Sequence, residues 1–213
     1  QQEIISEINR DLSATIPMHR LIQGEVGSGK TVLALRAMLT VIDAGAQTAL
    51  LAPTEVLAQQ HFRTVHNLFQ DLTLSLLNSE GRNLRIALLT GSLPTTRKRQ
   101  IREQIKLGEI DLVIGTHALI SEGVEFSGLG LLVIDEQHRF GVEQRDALRL
   151  KAKYPPHVLV MTATPIPRTV AMTVFGDLDL FVEVEYWNLY FILWKLKNLL
   201  INLLIFSNVS KFP

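Results

Sequence analysis

The sequence predicts an α/β domain in which a mostly parallel sheet carries helices on both of its faces. Up to about residue 180, short and continuously apolar runs alternate with longer stretches of helical periodicity. Strands that are apolar throughout belong to sheets covered on both faces, and their alternation with helices indicates crossovers between parallel neighbours. A glycine-rich turn joins the first such strand to the first long helix. Folds of this class bind ligands at the carboxyl ends of their strands.

The predicted strands are apolar runs that stop at proline, glycine or polar residues. They comprise residues 19–23, 48–53, 85–91, 111–117, 129–136 and 157–164. The predicted helices have apolar residues at close to helical spacing. They comprise residues 31–45, 55–69, 97–109, 143–153 and 167–176. The polar segment 78–83 is predicted to be a loop.

Charge and cysteine content exclude several classes of function. Lys and Arg number 21, as do Asp and Glu, so net charge gives no sign of a nucleic-acid partner and any such surface must be local. The chain has no cysteine, which excludes disulfides, thiolate metal sites and cysteine nucleophiles. Residues 1–13 lack the apolar core of a signal peptide, so we expect a cytoplasmic or an organellar protein. The chain starts in mid-pattern without Met, as a piece of a longer protein would.

A change in residue usage predicts a boundary at residue 180, with one domain over 1–180 and an atypical hydrophobic tail over 181–213. The tail holds both tryptophans and no Ala or Gly. Its segment 186–206 has the length of a membrane span, but Lys195, Lys197 and several asparagines interrupt it. A membrane span, an interfacial or partner-binding helix and a non-native terminus are the alternatives, and the abrupt change favours the last. We therefore expect no membrane partner and no place for the tail in the core.

The glycine-rich turn "GEVGSGKT" (24–31) fits the pattern G-x-x-x-x-G-K-[ST]. Its glycines let successive backbone N–H groups face phosphate oxygens at the positive end of the following helix. In this pattern Lys30 reaches the β and γ phosphates of ATP, and the Thr31 hydroxyl binds Mg²⁺. A chance match is the alternative, but the strand before the motif and the helix after it favour a phosphate loop. The candidate nucleotide-binding residues are Gly24, Gly27, Ser28, Gly29, Lys30 and Thr31.

The run "LLVIDE" (131–136) ends a predicted strand in two adjacent carboxylates. Two such groups repel each other and are costly to desolvate, unless a cation or a reacting water lies between them. Together with the phosphate loop, this predicts Asp135 as the acid on the Mg²⁺ side, acting through water. Glu136 is the candidate base that orients and deprotonates the attacking water. The alternative is an acid-rich helix N-terminus.

Several spaced motifs resemble helicase superfamily 2: "APTEVLAQQH" (52–61), "GTHALI" (115–120), "DEQH" (135–138) and "MTATPIPRT" (161–169). The longer runs "DEQHRFGVEQR" and "MTATPIPRTVAMT" are most similar to the RecG-type ATP-dependent DNA helicases. The transcription-repair coupling translocases usually have "DEEHRFG" at the equivalent place, so Gln137 favours the RecG type. The resemblance covers residues 1–180.

This resemblance implies a RecA-like P-loop NTPase fold and the first motor domain of a helicase that acts on branched DNA in repair and recombination. It implies that Gln137 and His138 couple the nucleotide state to the DNA, with a structural hydrogen bond as the alternative for His138. Thr162 and Thr164 resemble the motif that links hydrolysis to strand movement, with a strand-end cap as the alternative. The residues that match motifs contacting the DNA backbone are Pro53, Thr54, Glu55, Gly91, Gly115, Thr116 and His117.

Two further expectations concern basic residues and missing parts. The run Arg97, Lys98, Arg99 and Arg102 is interpreted as a solvated helix face, with a phosphate-contacting face as the alternative. In the resembling helicases a second RecA-like domain with an arginine finger follows the first, and this chain does not contain it. Two alternatives remain for the function of the chain as a whole: the motor domain of a repair-coupling translocase, and an inactive nucleotide-binding fragment.

Overall fold

The structure, a computed structural model, describes residues 2–25, 27–69, 73–74, 82–121, 123–135, 154–164 and 180–184. In chain order its elements are α1 (Gln2–Leu12), β1 (His19–Gly24), α2 (Lys30–Asp43), β2 (Gln47–Leu51), α3 (Glu55–Phe69), β3 (Thr73–Leu74), β4 (Arg82–Asn83), β5 (Ile86–Leu89), α4 (Thr95–Lys106), β6 (Leu112–Gly115), a 3₁₀ turn (His117–Leu119), β7 (Leu129–Asp135), β8 (His157–Thr162) and β9 (Leu180–Val184).

Seven of these strands form one sheet in the order β5-β6-β2-β7-β8-β1-β9. Every neighbouring pair in it is parallel, which confirms the predicted α/β class. The predicted strands and the helices at 31–45, 55–69 and 97–109 all form, with ends that differ by a few residues. The helices predicted at 143–153 and 167–176 lie outside the described residues.

Side chains on the two faces of the sheet belong to two separate cores. Alternate strand residues such as Ile22, Leu50 and Val133 pack against α1, α2 and α3 on one face. Their sequence neighbours pack on the other face against residues of α4, such as Ile101 and Ile105. Both faces are therefore buried, and this is the physical reason that the strands read as continuous apolar runs.

The first helix was missed from the sequence, although Ile4, Ile5 and Ile8 follow helical spacing. Helix α1 is tied to the sheet by Arg20 of β1, whose side chain is 1% exposed. Its guanidinium donates from Nη1 to Glu7 Oε2 at 2.8 Å. Its Nε, at 3.0 Å, and its Nη2 both donate to Asp11 Oδ2. Such a buried cation is tolerable because two carboxylates of the helix neutralise it.

Two details of the sheet differ from prediction. Arg82 and Asn83, placed in a predicted loop, form an antiparallel pair with Thr73 and Leu74. Strand β9 lies beside β1 at the sheet edge, with partners from Arg20↔Leu180 to Gly24↔Val184. The sheet thus continues four residues past the boundary predicted at 180, because apolar residues of the early tail supply one more edge strand. The rest of the tail lies outside the described residues, and its separation from the domain stays a prediction.

Strand β9 pairs with β1, the strand that leads into the phosphate loop. Truncating the chain after β9 should therefore preserve stability, whereas truncating it before β9 should reduce stability. A chain ending at residue 184 should bind nucleotide as the full chain does. A chain ending at 179 loses the hydrogen bonds of a five-residue strand, which lowers the melting temperature by about 5 °C or more. Thermal unfolding of both chains measures this. Failure of the 1–184 chain to fold would show instead that the remaining tail packs as a genuine element.

In the described part of the chain, no helix is both long enough and apolar enough to cross a membrane. The segment 186–206 lies outside those residues.

Candidate functional site

The motif residues described in the structure lie at the carboxyl ends of neighbouring strands, along one edge of the sheet. The order of the strands sorts them into two groups. Strands β7, β8 and β1 lead into Asp135, Thr162 and the phosphate loop. Strands β5, β6 and β2 lead into the residues with predicted DNA contacts. Motifs that are scattered over more than 130 residues of sequence therefore form two adjacent sites.

The phosphate loop has the backbone that the motif requires. Gly27 and Gly29 have φ of +85° and +91°, a conformation that residues with a Cβ rarely adopt. Gly29 is the N-cap of α2, and the N–H groups of Val32 and Leu33 already donate to its carbonyl oxygen. The positive end of a 14-residue helix thus begins at the loop.

Two side chains of the loop are placed to meet an anion. The Lys30 ammonium donates to the carbonyl oxygens of Gly24 and of Glu25, the latter at 2.8 Å, so it is held across the loop. The Ser28 hydroxyl is 1% exposed and has no hydrogen-bond partner among the described residues. A buried hydroxyl of this kind is costly unless a bound group satisfies it. These residues fit a nucleotide phosphate, and Thr31 in the first turn of α2 fits a metal ligand.

Asp135 ends β7 level with Met161 of β8, which in turn is level with Ile22 of β1. Its strand is separated from β1 by β8 alone, so the two strand axes lie about 10 Å apart. This places the carboxylate on the same edge as the phosphate loop, as predicted for an acid on the metal side. The predicted base Glu136 and the predicted coupling residues Gln137 and His138 lie outside the described residues.

One contact of Asp135 was not predicted. His61 Nε2 lies 2.7 Å from Asp135 Oδ2, although 74 residues separate them in sequence. His61 ends the quoted run "APTEVLAQQH" and lies on α3, whose first residue is at the neighbouring site. A single sequence holds no signal for this pair, because only the sheet order brings β2 and its following helix beside β7.

Thr162 and Thr164, the predicted coupling pair, are bonded to each other. Their hydroxyl oxygens lie 2.9 Å apart, and the Thr164 N–H donates to Thr162 Oγ1 at 3.2 Å. This is the geometry of the strand-end cap given as the alternative. The role in coupling stays a prediction.

The second group surrounds an open cleft of about 620 Å³ beside the ends of β2, β5 and β6. Six of the seven predicted DNA-contact residues line it, together with four further residues of the described part of the chain. The lining residues are Pro53, Thr54, Glu55, Gly91, Lys98, Arg102, Thr116, His117, Ala118 and Ser121. The motifs that are separate in sequence therefore lie together in the fold, because residues from three loops line one cleft.

Gly115, the seventh predicted contact, is buried at the end of β6. A Cβ at this position would lie 2.2 Å from the carbonyl oxygen of Leu89. Glycine is required here because the backbones of β5 and β6 approach closely. The structure gives Gly115 a packing role, and its contact with DNA stays a prediction.

Glu55 braces one wall of the cleft. Its Oε1 accepts a hydrogen bond from the Ser92 N–H at 2.9 Å. Hydrogen bonding from Ser92, followed by that from Gly91 and the charge of Lys98, holds the pKa of Glu55 below its usual value. Glu55 is therefore ionised at neutral pH, and it fixes the loop after β5 against the start of α3.

The run of basic residues on α4 does not form a single solvated face. Lys98 and Arg102 are half-buried and line the cleft, where Lys98 donates to the Gly91 carbonyl and Arg102 donates to Ser121 Oγ at 2.9 Å. Arg97 and Arg99 are exposed, as predicted. The difference follows from helical spacing, since residues four apart share a face. Lys98 and Arg102 are thus only partly solvated, and the alternative of a phosphate-contacting face stays a prediction for them.

The fold and the loop define a P-loop nucleotide-binding α/β domain. A separate cleft lies on the same edge of the sheet, at the ends of β2, β5 and β6. The chain matches the DEAD/DEAH box helicase family over residues 1–173 and belongs to that family. It is 55% identical to the ATP-dependent DNA helicase RecG of Mycobacterium bovis over 182 residues, which are 84% of this chain and 25% of the relative. It is 54% identical to the RecG helicase of Streptococcus pneumoniae over 179 residues, with the same shares.

Solved structures agree with this assignment. A RecG structure bound to a three-way DNA junction matches with a TM-score of 0.71 and 42% identity, over 87% of this chain and 23% of that one. The helicase domain of Pyrococcus furiosus Hef matches with a TM-score of 0.59 and 18% identity, over 87% of this chain and 37% of that one. The RecA-like fold is thus confirmed. The chain spans about a quarter of the length of the curated relatives that it matches.

Proposed function

We propose that the chain is the ATP-binding and ATP-hydrolysing motor domain of a DNA helicase that acts on branched DNA in repair and recombination. The observation that carries the proposal is the arrangement of two sites on one sheet edge, a phosphate loop with an acid and a separate cleft with basic residues. A motor needs both sites, since the free energy of nucleotide hydrolysis must be coupled to movement of a second bound ligand. The repair-coupling translocase is the alternative, and Gln137 favours the helicase.

At the first site, the N–H groups at the start of α2 and the Lys30 ammonium bind the phosphates of ATP. Thr31 and, through water, Asp135 hold Mg²⁺, which when bound neutralises charge on the phosphate oxygens. Glu136 orients the attacking water and accepts its proton. These roles are supported by the positions of Lys30 and Thr31 in the loop motif and, in the sequence, of Glu136 directly after Asp135.

At the second site, the cleft suits the sugar-phosphate backbone of DNA better than its bases. Its lining combines small polar side chains, exposed main chain at Gly91 and the two cations Lys98 and Arg102. Phosphate contacts in protein–DNA complexes come from groups of these kinds. Among the described residues that line the cleft there is no Phe, Tyr or Trp, on which bases of single strands usually stack. Binding there should depend on salt and little on sequence.

Relatives support the branched form of the substrate and the compartment that we propose. The RecG structure at 42% identity was solved with a three-way junction, which supports branched DNA for this chain too. The matching RecG helicases come from bacteria such as Mycobacterium bovis, which supports the bacterial cytoplasm as the compartment. A second RecA-like domain is proposed as the partner that completes the motor.

Two double variants of α4 test the DNA site with matched charge. Lys98→Gln with Arg102→Gln removes the two cations that line the cleft, whereas Arg97→Gln with Arg99→Gln removes two exposed cations of the same helix. Each phosphate contact contributes about 0.7 to 0.9 to the slope of log affinity against log salt. We expect the cleft variant to lose about 1.4 to 1.8 in that slope and about tenfold in affinity at low salt, as measured by anisotropy with a labelled three-way junction.

The exposed pair is the control and should leave the slope within about 0.5 of the wild type, because Arg97 and Arg99 are exposed and do not line the cleft. Equal losses in both double variants would show a diffuse electrostatic effect and contradict a binding site in the cleft. Unchanged binding in both would contradict it as well.

A further inference from the structure

His61 and Asp135 form a polar pair at the same edge of the sheet as the phosphate loop. The distance from Nε2 to Oδ2 is 2.7 Å, and the side chains are 12% and 13% exposed. Both side chains are therefore mostly shielded from water, which strengthens the hydrogen bond and limits the orientations that the carboxylate can adopt. The bond joins the middle of α3 to the last residue of β7, two elements that meet at the nucleotide side of the sheet.

The helix that carries His61 is firmly held. Ala58 and Val65, which are one turn before and one turn after His61, are completely buried in the core on that face of the sheet. Strand β7 lies in the middle of the sheet between β2 and β8. The imidazole therefore approaches the carboxylate from a rigid support. A carboxylate that is held by one oxygen keeps the orientation of the other.

We propose that His61 is a positioning residue that orients Asp135 toward the Mg²⁺ of bound nucleotide. The inference rests on the proposed function, because it takes Asp135 as the acid on the metal side. Outer hydrogen bonds of this kind orient the groups around a metal, and their loss usually costs 10- to 100-fold in metal affinity or activity. Since Asp135 acts through water here, we expect an effect near the lower end of that range.

The test measures how much Mg²⁺ the chain needs in order to bind nucleotide. A fluorescent ATP analogue is titrated with Mg²⁺ on the wild type, His61→Ala and His61→Gln, and analogue binding is also measured in EDTA. The Gln side chain presents an N–H at about the reach of Nε2 and should keep the bond. His66→Ala is the matched control, as His66 is an exposed histidine on the same helix.

His61→Ala should raise the half-saturating Mg²⁺ concentration about tenfold and leave binding in EDTA unchanged. His61→Gln and His66→Ala should stay within about threefold of the wild type. In an Asp135→Ala background, His61→Ala should have no further effect, because the carboxylate that His61 orients is already absent. Melting curves show whether each variant folds, and His61→Leu replaces His61→Ala if the smaller side chain prevents folding.

Wild-type Mg²⁺ dependence in His61→Ala, or in His61→Leu where that variant is used, would overturn the inference. So would a loss in His61→Gln equal to that in His61→Ala. A wild-type chain that binds the analogue equally well with and without Mg²⁺ would contradict the proposed metal site itself, which is a different outcome and separates the two failures.

Discussion

The 213-residue chain by itself should hydrolyse ATP at a rate that is about 10³ to 10⁵ below that of a complete two-domain motor, and it should not unwind DNA. In P-loop enzymes an arginine finger supplied across the cleft contributes a factor of this size. In the helicases that this chain resembles, the finger lies in a second motor domain, and the match to the family ends at residue 173. By sequence, Arg139 and Arg168 belong to motifs of this same domain, and we expect neither to act as the finger.

Translocation also needs two bodies that open and close with the nucleotide state, and a single domain has nothing to move against. Weak DNA binding should survive at the cleft through Thr54 and Thr116, but DNA should not stimulate hydrolysis. Steady-state ATPase with and without forked DNA, together with a strand-displacement assay, measures this on the purified chain. Robust DNA-stimulated turnover by the monomer would contradict the prediction. It would require an arginine finger within these residues or from a second copy of the chain.

Glu136→Gln should separate nucleotide binding from hydrolysis. The amide keeps the shape of the carboxyl group but cannot accept a proton, so turnover should fall by about 10² or more while ATP affinity persists. The measurement belongs in a protein that joins this domain to a second motor domain, where turnover is high enough to resolve the loss.

Glu109→Gln is the control for that variant, because Glu109 is an exposed carboxylate just after α4. It should change neither binding nor turnover. Equal losses of affinity and turnover in Glu136→Gln would instead give Glu136 a structural or metal-holding role.

Local chemistry was enough to predict most of the sheet and the phosphate loop. Apolar runs must be buried, and the loop requires glycines at positions of positive φ such as Gly27 and Gly29. The edge strand β9 was not predicted, because its residues 180–184 open a tail of unusual composition. The residue composition of the tail therefore gave no indication of β9, a short strand that forms by pairing with β1.

The cleft and the pair at Asp135 needed the fold. The four basic residues of α4 look alike in sequence, and only the packing of the helix separates Lys98 and Arg102 from the exposed pair. Likewise, His61 meets Asp135 only because α3 returns across the sheet. Contacts between residues that are far apart in sequence depend on strand order, which a single sequence does not specify.

The central claim is that residues 24–31 bind the phosphates of ATP, and Lys30→Ala tests it most directly. The variant loses a charge-assisted contact worth about 1.5–3 kcal/mol, so equilibrium binding of labelled ATP should weaken about ten- to a hundredfold. Lys106→Ala should bind as the wild type does. It removes an exposed lysine that ends α4 and is paired with Glu125. Wild-type affinity in Lys30→Ala would contradict the phosphate loop and, with it, the assignment of the chain as an ATP-driven motor domain.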